Sequence, residues 1–148
     1  MTLNFFCKMR YLLDTNIFIY AAIDRDSLSR DVKAILEDYD NSFYVSAETV
    51  RELVVAFNNG GLVSKYWKTA KEMVRAIRET FFIYILPIGE EHMSTYAQLE
   101  LNLAEDHKDP SDHVIISHAI TNGMPLISSD HKFKFYQKQG LELIFNEK

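Results

Sequence analysis

Hydrophobic residues in this chain occur both as short continuous runs and as longer stretches with helical spacing. The first continuous run, Tyr11-Leu12-Leu13, is typical of a strand that is buried on both faces of a sheet. Later runs rich in β-branched and aromatic residues predict four more strands, at 43–46, 82–86, 125–130 and 141–144. The pattern therefore predicts five strands.

Segments of helical character separate these strands. They are predicted at 17–22, 28–39, 46–57, 67–81, 90–103 and 110–122, and a short turn or helix joins the last two strands. Ser46 is placed to cap the third helix, and Pro110 suits the first position of the last one. Asp109 and Asp112 there resemble a capping box. Strands alternating with helices predict a single α/β domain with a central, mainly parallel sheet flanked by helices.

Acidic residues lie at one edge of this predicted sheet. Asp14 directly follows the first strand, and Asp130 ends the fourth. Glu52 and Asp112 lie near the starts of two helices that begin at the same edge. Because ligands of open α/β sheets bind beyond the carboxyl ends of the strands, we expect the four carboxylates to converge. For Asp14 alone, a role limited to capping the following helix is an equal alternative.

Converging carboxylates repel one another, and without a counter-charge some of them would have to take up protons. A hard divalent cation removes this conflict, and Mg²⁺ prefers carboxylate oxygens together with water and phosphate. One or two such ions can activate water for phosphodiester cleavage. The sequence therefore indicates a site for Mg²⁺ or Mn²⁺, in which Thr15, Ser46 and Ser128 supply hydrogen bonds that orient the carboxylates.

Composition supports one globular domain. The chain has 148 residues, of which 47% are hydrophobic and 25% charged, as in ordinary soluble proteins. Residues 1–8 precede a second methionine, Met9, and are interpreted as an N-terminal extension, either a disordered lead or the product of an upstream start codon. The folded domain is expected to span residues 9–148.

Cysteine content and net charge bear on the cellular location of the protein and on its binding to nucleic acid. The single cysteine, Cys7, cannot form an internal disulfide, and no signal-peptide pattern or long apolar span is visible. We therefore expect a cytoplasmic protein without membrane contact. The net charge of −5 argues mildly against binding nucleic acid through bulk positive charge. It does not argue against a nuclease, whose acidic residues are offset by bound cations.

The sequence lacks the motifs of zinc enzymes, of serine-nucleophile hydrolases and of nucleotide-binding proteins. There is no cysteine pair, His-Glu-x-x-His motif, Gly-x-Ser-x-Gly elbow or phosphate-binding glycine loop. His107, His113, His118 and His131 lack the spacing of metal ligands and are interpreted as solvated or packing residues. His113 and His131 each follow a candidate acid directly, so they are the two histidines most worth mutating.

Four motifs follow one another along residues 9–144: Leu12-Leu13-Asp14-Thr15-Asn16, Tyr44-Val45-Ser46-Ala47 with Glu52-Leu53, Asp109-Pro110-Ser111-Asp112 with Ile115-Ile116-Ser117-His118-Ala119, and Pro125-Leu126-Ile127-Ser128-Ser129-Asp130 with Phe133. In this order and spacing they resemble the PIN-domain ribonucleases, specifically the VapC-type toxins of toxin–antitoxin modules. Such a succession is far more specific than any single motif.

The resemblance implies metal-dependent endonucleolytic cleavage of RNA. By position, the acidic metal site of the family corresponds to Asp14, Glu52, Asp112 and Asp130, and its orienting polar residues correspond to Thr15, Asn16 and Ser46. The resemblance further implies a homodimer and a small antitoxin that blocks the acidic cleft. The antitoxin, rather than this acidic chain, would bind operator DNA.

Two features depart from the family pattern. The family often has an aromatic residue and an arginine where this chain has Ser111 and His113, which affects the expected target preference. Glu48 also competes with Glu52 for its role, although the spacing from Ser46 favours Glu52.

Two alternatives to a ribonuclease toxin remain. The first is a catalytically inactive PIN-like module that binds RNA or protein, which the retention of four clustered acids disfavours. The second is a phosphoacceptor or phosphatase domain with Asp14 as nucleophile. The sequence shows neither the paired acids usual in such domains nor an obvious lysine at a later strand end.

Overall fold

The fold is built on a five-stranded parallel sheet. In the computed structural model, which describes residues 9–147, the strands are β1 (Arg10–Leu13), β2 (Ser42–Ser46), β3 (Tyr84–Leu86), β4 (Leu126–Ser128) and β5 (Leu143–Phe145). Their order is β3-β2-β1-β4-β5, and every neighbouring pair is parallel. The predicted α/β fold with a central parallel sheet is confirmed. The proposed N-terminal extension, residues 1–8, lies outside the described residues.

Among the described residues, six α-helices connect and cover the strands: α1 (Thr15–Ile23), α2 (Arg30–Glu37), α3 (Ala47–Asn58), α4 (Ala70–Glu79), α5 (Glu90–Gln98) and α6 (Pro110–Asn122). Short 3₁₀ turns lie at Arg25–Ser27 and Leu103–Glu105, and a longer 3₁₀ segment, His131–Gln139, joins β4 to β5. Between residues 9 and 147, no helix has both the length and the apolar character needed to cross a membrane.

Helix packing buries both faces of the sheet. In β1, Tyr11 and Leu13 belong to the hydrophobic cluster beneath α1–α4, whereas Leu12 belongs to a second cluster with residues of α6 and the long 3₁₀ segment. Leu12 and Leu13 are fully buried. This alternation explains the continuous apolar run, because a strand covered on both sides needs no polar face.

The strand order reverses between β1 and β4. The chain passes from β1 outward through β2 and β3, and then returns to the opposite side of β1 as β4. Leu13 pairs with Ile127, and the Asp14 backbone N–H donates to the Ile127 carbonyl oxygen over 3.0 Å. Reversal of strand order at this point is where doubly wound sheets bind ligands. Asp14 therefore lies beside the expected crevice.

The segment around α4 differs from its predicted bounds. α4 begins at Ala70 rather than at residue 67, because the Thr69 hydroxyl caps the helix, and the buried Trp67 precedes it. α4 ends at Glu79 rather than at residue 81, and Phe82, with a left-handed φ of 57°, lies between the helix and β3, which begins at Tyr84 rather than at residue 82.

The segment predicted as a helix at 90–103 is also shorter. α5 ends at Gln98, and Leu99 already has an extended conformation. Leu103 belongs to the following 3₁₀ turn. Its spacing from the apolar residues of α5 matches a helix, but it is exposed in a separate element.

Candidate functional site

Asp14 lies at the end of β1, where two donors hold its carboxylate. Oδ1 accepts a 2.8 Å hydrogen bond from the Thr15 backbone N–H, and Oδ2 accepts one of 2.8 Å from the Ser128 hydroxyl. Asp14 is therefore the cap of α1 and also a contact of β4. Burial raises its pKa to about 7, and the charges of Asp112 and Glu52 add to the rise, against the lowering effect of the two hydrogen bonds.

Thr15 connects Asp14 to Glu52 of α3. The Thr15 hydroxyl donates to Glu52 Oε1 over 2.6 Å and lies 3.0 Å from the Thr49 hydroxyl. Burial raises the pKa of Glu52, and the neighbouring acid Asp109 contributes to the same rise. Glu52 is thus a half-buried carboxylate with a fixed orientation.

Asp112 and Asp130 come together with a histidine. Ligand atoms of His107, Asp112 and Asp130 lie within 4.8 Å of one another, and Asp112 Oδ2 is 2.9 Å from His107 Nε2. Burial raises the pKa of Asp112 to about 7, with further rises from the charges of Asp109, Asp130 and Glu52. Burial also lowers the pKa of His107, which favours a neutral imidazole at pH 7.

The four predicted acids form one electrostatically coupled group. The charges of Asp112 and Glu52 raise the pKa of Asp14, and the charges of Asp130 and Glu52 raise that of Asp112. Within residues 9–147, the compact trio with mutually close ligand atoms contains Asp112 and Asp130. Asp14 and Glu52 are joined through Thr15 instead.

The predicted orienting residues differ in what they contact. Thr15 and Ser128 donate directly to the acids, and the Ser128 hydroxyl also accepts a 3.1 Å hydrogen bond from the Asp130 backbone N–H. Ser46 instead caps α3, with its hydroxyl 2.9 Å from His118 Nδ1. Asn16 is exposed on α1.

Glu48 and Glu52 have different surroundings, although they lie one turn apart on α3. Glu48 forms an ion pair with Arg51 and accepts a 2.5 Å hydrogen bond from the Ser111 hydroxyl. Burial alone raises the pKa of Glu48, but hydrogen bonds from Arg51 and Ser111 outweigh it and lower the pKa. Glu48 is therefore already neutralised by a cation, whereas Glu52 is coupled to the other acids.

The two residues that depart from the family pattern have defined contacts. Besides its bond to Glu48, the Ser111 hydroxyl accepts a 2.8 Å hydrogen bond from Arg51. His113 is buried, and its Nε2 lies 3.0 Å from the His107 carbonyl oxygen. Arg51, an exposed cation beside Glu48 and Ser111, was not among the predicted site residues.

His107 is a second residue that the sequence analysis missed, having been assigned to packing or solvent. It precedes α6, whose start at Pro110 turns the chain so that the third helical residue, Asp112, faces back toward it. The expected capping box does not form: Asp109 caps α6 by accepting from the backbone N–H of Ser111 over 2.9 Å, and the Asp112 side chain contacts His107 instead of the Asp109 backbone. His131, in contrast, is exposed and lies 3.1 Å from Glu105.

The sequence model of the PIN domain matches residues 11–139. The chain belongs to the PIN domain family. No protein with a curated description matches the chain. The fold expected from the motifs is confirmed.

Solved structures of VapBC assemblies resemble this PIN domain. VapBC2 from Rickettsia felis, bound to a promoter DNA fragment, has a chain that is 23% identical, with 94% of this chain and 100% of that chain covered at a TM-score of 0.70. VapBC-1 from nontypeable Haemophilus influenzae has a chain that is 25% identical, with 95% of this chain and 100% of that chain covered at a TM-score of 0.64. DNA-bound VapBC from Salmonella typhimurium has a chain that is 20% identical, with 93% of this chain and 98% of that chain covered at a TM-score of 0.63. The resemblance to VapC-type PIN proteins is therefore confirmed.

Proposed function

We propose that this PIN domain is a metal-dependent endoribonuclease that acts as the toxin of a toxin–antitoxin pair. The observation that carries the proposal is the coupling of the four acids at the crevice between β1 and β4. Asp14 and Asp112 both have pKa values raised to about 7, so the group lacks enough positive charge of its own. Phosphodiester cleavage is the chemistry that such carboxylate clusters support when they hold divalent cations.

The donor set fits Mg²⁺ or Mn²⁺. Carboxylate oxygens are the ligands that both ions prefer, and a divalent charge would offset both the cost of burying charged carboxylates and their mutual repulsion, which together raise the pKa values. Asp14, Glu52, Asp112 and Asp130 would hold the metal. When bound, it would supply Lewis-acid stabilisation of phosphate oxygens and activation of water.

The protein's own contribution is to hold the acids in place before metal and substrate arrive. The Thr15 backbone and the Ser128 hydroxyl fix the two oxygens of Asp14, and the Thr15 hydroxyl fixes Glu52. Because these side chains are already ordered, less conformational entropy is lost when a cation binds. An RNA phosphate would enter at the exposed rim of the crevice, near Arg51.

The proposed partners are a cognate antitoxin and a second copy of this chain. Similarity to chains of VapBC assemblies over nearly their full length supports the antitoxin. Two of these assemblies are described as bound to DNA. With a net charge of −5, this chain is poorly suited to bind DNA itself, so we assign operator binding to the antitoxin.

An inactive binding module is the weaker proposal. A module that binds RNA or protein without cleaving would gain nothing from buried, mutually repelling carboxylates, which cost folding stability when they are ionised. Asp14 is only 5% exposed, so this cost is substantial. Catalysis gives a reason for tolerating it.

The proposal is tested by incubating purified protein with total cellular RNA in the presence of Mg²⁺, Mn²⁺ or chelator. Wild-type protein should produce discrete fragments with either metal, and chelator should abolish them. Asp14→Asn and Asp112→Asn should each abolish cleavage and leave the fold intact. Asp31→Asn, which removes an exposed carboxylate on α2, should cleave as the wild type does.

Full activity in either of the first two variants would contradict the proposed site. If no condition gives cleavage, calorimetric titration with Mg²⁺ distinguishes the remaining cases. Metal binding without cleavage would indicate a narrow RNA target, while the absence of both would favour the binding module.

A further inference from the structure

A buried chain of hydrogen bonds lies behind Asp112. It runs from the backbone N–H of Asn102 to the Tyr136 hydroxyl over 3.0 Å, from that hydroxyl to His107 Nδ1 over 2.9 Å, and from His107 Nε2 to Asp112 Oδ2 over 2.9 Å. Asn102, Tyr136 and His107 are 1%, 0% and 2% exposed. Water therefore does not compete for these groups.

The backbone donor sets the direction of the chain. An amide N–H can only donate, so the Tyr136 oxygen accepts from Asn102. The Tyr136 hydroxyl proton then has His107 Nδ1 as its acceptor, which leaves the proton of the neutral imidazole on Nε2. His107 Nε2–H consequently donates to Asp112. In this arrangement every polar group in the hydrogen-bond chain has a hydrogen-bond partner.

If the imidazole proton were on Nδ1 instead, Nε2 would be free to bind a metal, and His107 would be a metal ligand. Its closeness to Asp112 and Asp130, with ligand atoms within 4.8 Å, is compatible with a site of three ligands. Coordination through Nε2 would move the proton to Nδ1, so that the Tyr136 oxygen would receive two N–H donors. The Tyr136 hydroxyl proton would then lose its acceptor in a fully buried position, which is unfavourable.

We infer that His107 is a positioning residue that holds Asp112 by donating from Nε2, and that it does not bind the metal. This inference rests on the proposed function in one respect, the assignment of Asp112 as a metal ligand. The bond engages Oδ2 and fixes the plane of the carboxylate, so that the remaining lone pairs keep one direction.

The packing around His107 prevents the imidazole from turning. His113 Nε2 donates to the His107 backbone carbonyl over 3.0 Å, and the His113 ring lies edge-on to the His107 ring at a centroid distance of 4.8 Å. The rings of Phe133 and Tyr136 each lie 5.5 Å from it. Rotation of the His107 imidazole would disturb the three ring contacts.

The tautomer can be measured directly by NMR on protein labelled with ¹⁵N-histidine. Long-range proton–nitrogen correlations should place the His107 proton on Nε2, both without metal and with saturating Mg²⁺, which is diamagnetic. His107→Gln serves to assign the resonances. A His107 with its proton on Nδ1, and with Nε2 shifted by Mg²⁺, would overturn the inference.

Mg²⁺ affinity, measured by calorimetry, tests the effect on Asp112. His107→Leu should weaken binding by about 10–100-fold, the usual effect of losing a hydrogen-bond partner of a metal ligand. His107→Gln retains an N–H donor and should recover most of the affinity. Tyr136→Phe should fall between them, and the exposed His131→Gln is the control and should match the wild type.

The outcomes separate the inference from the proposed function. Unchanged affinity in a folded His107→Leu protein, or in Tyr136→Phe if the leucine variant does not fold, overturns the positioning role. Failure of the wild type to bind Mg²⁺ overturns the proposed metal site. In that case the tautomer of His107 still decides whether the hydrogen-bond chain has the direction inferred here.

Discussion

The Ser128 hydroxyl donates a 2.8 Å hydrogen bond to Asp14 Oδ2, although the two residues are 114 positions apart in the sequence. Ser128 ends β4 and Asp14 follows β1, so the bond joins the ends of neighbouring parallel strands. The same hydroxyl accepts from the backbone N–H of Asp130 over 3.1 Å. One fully buried serine therefore orients segments that carry two of the acids.

Ser128→Ala should destabilise the protein and make Asp14 less acidic. The hydroxyl bond lowers the pKa of Asp14, so its loss should raise that pKa above about 7. Leaving a buried acceptor without its donor costs about 1–3 kcal/mol. Urea unfolding should show this loss, and the pH midpoint of Mg²⁺ binding should move upward. Ser94→Ala, on the exposed side of α5, is the control. Coincident curves for Ser128→Ala and wild type would contradict the prediction.

Asp14→Asn should stabilise metal-free protein progressively as the pH rises. The folded-state pKa of Asp14, about 7, lies above its ordinary value of 3.8. The folded wild type therefore binds the proton more tightly, and the resulting stability is lost as the pH rises through about 7. Since one pKa unit corresponds to about 1.4 kcal/mol, the advantage of the variant should grow by roughly 2–3 kcal/mol between pH 5 and pH 8.

This pH dependence is measured by chemical unfolding in the presence of chelator at several pH values. The difference between the two proteins isolates Asp14 and its coupled neighbours, because the remaining titrating groups are common to both. Asp31→Asn should follow the wild type throughout. A constant difference between Asp14→Asn and wild type would show that the Asp14 carboxyl is not perturbed.

Glu52→Gln and Glu48→Gln should have unequal effects on metal binding. Glu52 contributes to the raised pKa values of Asp14 and Asp112, so its loss should reduce Mg²⁺ affinity by more than about tenfold, the lower range for hydrogen-bond partners of ligands. Glu48 is already paired with the cationic Arg51, so its substitution should reduce Mg²⁺ affinity less than the substitution of Glu52 does. Calorimetric titration compares the pair, and a larger loss of affinity in Glu48→Gln would reverse the assignment.

His118→Leu should make the protein more resistant to acid. Burial, together with the neighbouring His92, lowers the pKa of His118 to about 4. Because the folded-state pKa lies below the ordinary 6.5, the folded state binds fewer protons than the unfolded state, and stability falls as the pH drops below about 6.5. Within residues 9–147, His118 Nε2 is a buried polar atom that lacks a hydrogen-bond partner.

The expected advantage of His118→Leu over the wild type grows by up to about 1.4 kcal/mol for each pH unit between 6.5 and the folded-state pKa of about 4. Unfolding by urea at pH 7.5 and pH 5 measures it. His131→Leu replaces an exposed histidine and should show no such trend. Parallel behaviour of His118→Leu and wild type would indicate that His118 is protonated without cost to the fold.

Several local features could be predicted because they depend on residues a few positions apart. The continuous run at Tyr11–Leu13 marked a strand covered on both faces, and Ser46 was recognised as the cap of α3. The predicted end of α6 at residue 122 is also correct, because Gly123, with a φ of 62°, caps the helix there. The end of α5 was not predictable in this way, since Leu103 keeps helical spacing beyond the true end of the helix at Gln98.

The sequence by itself determined the alternation of strands and helices and the placement of acids after strand ends and near helix starts. These features can be predicted from the sequence because the hydrophobic period and helix capping depend on residues only a few positions apart. Only the tertiary structure decided that Glu48 accepts from Ser111 while Glu52 accepts from Thr15 and joins the acids, and that His107 contacts both Tyr136 and Asp112. Such contacts depend on strand order and helix packing, which bring together side chains whose separation along the chain carries no local signal.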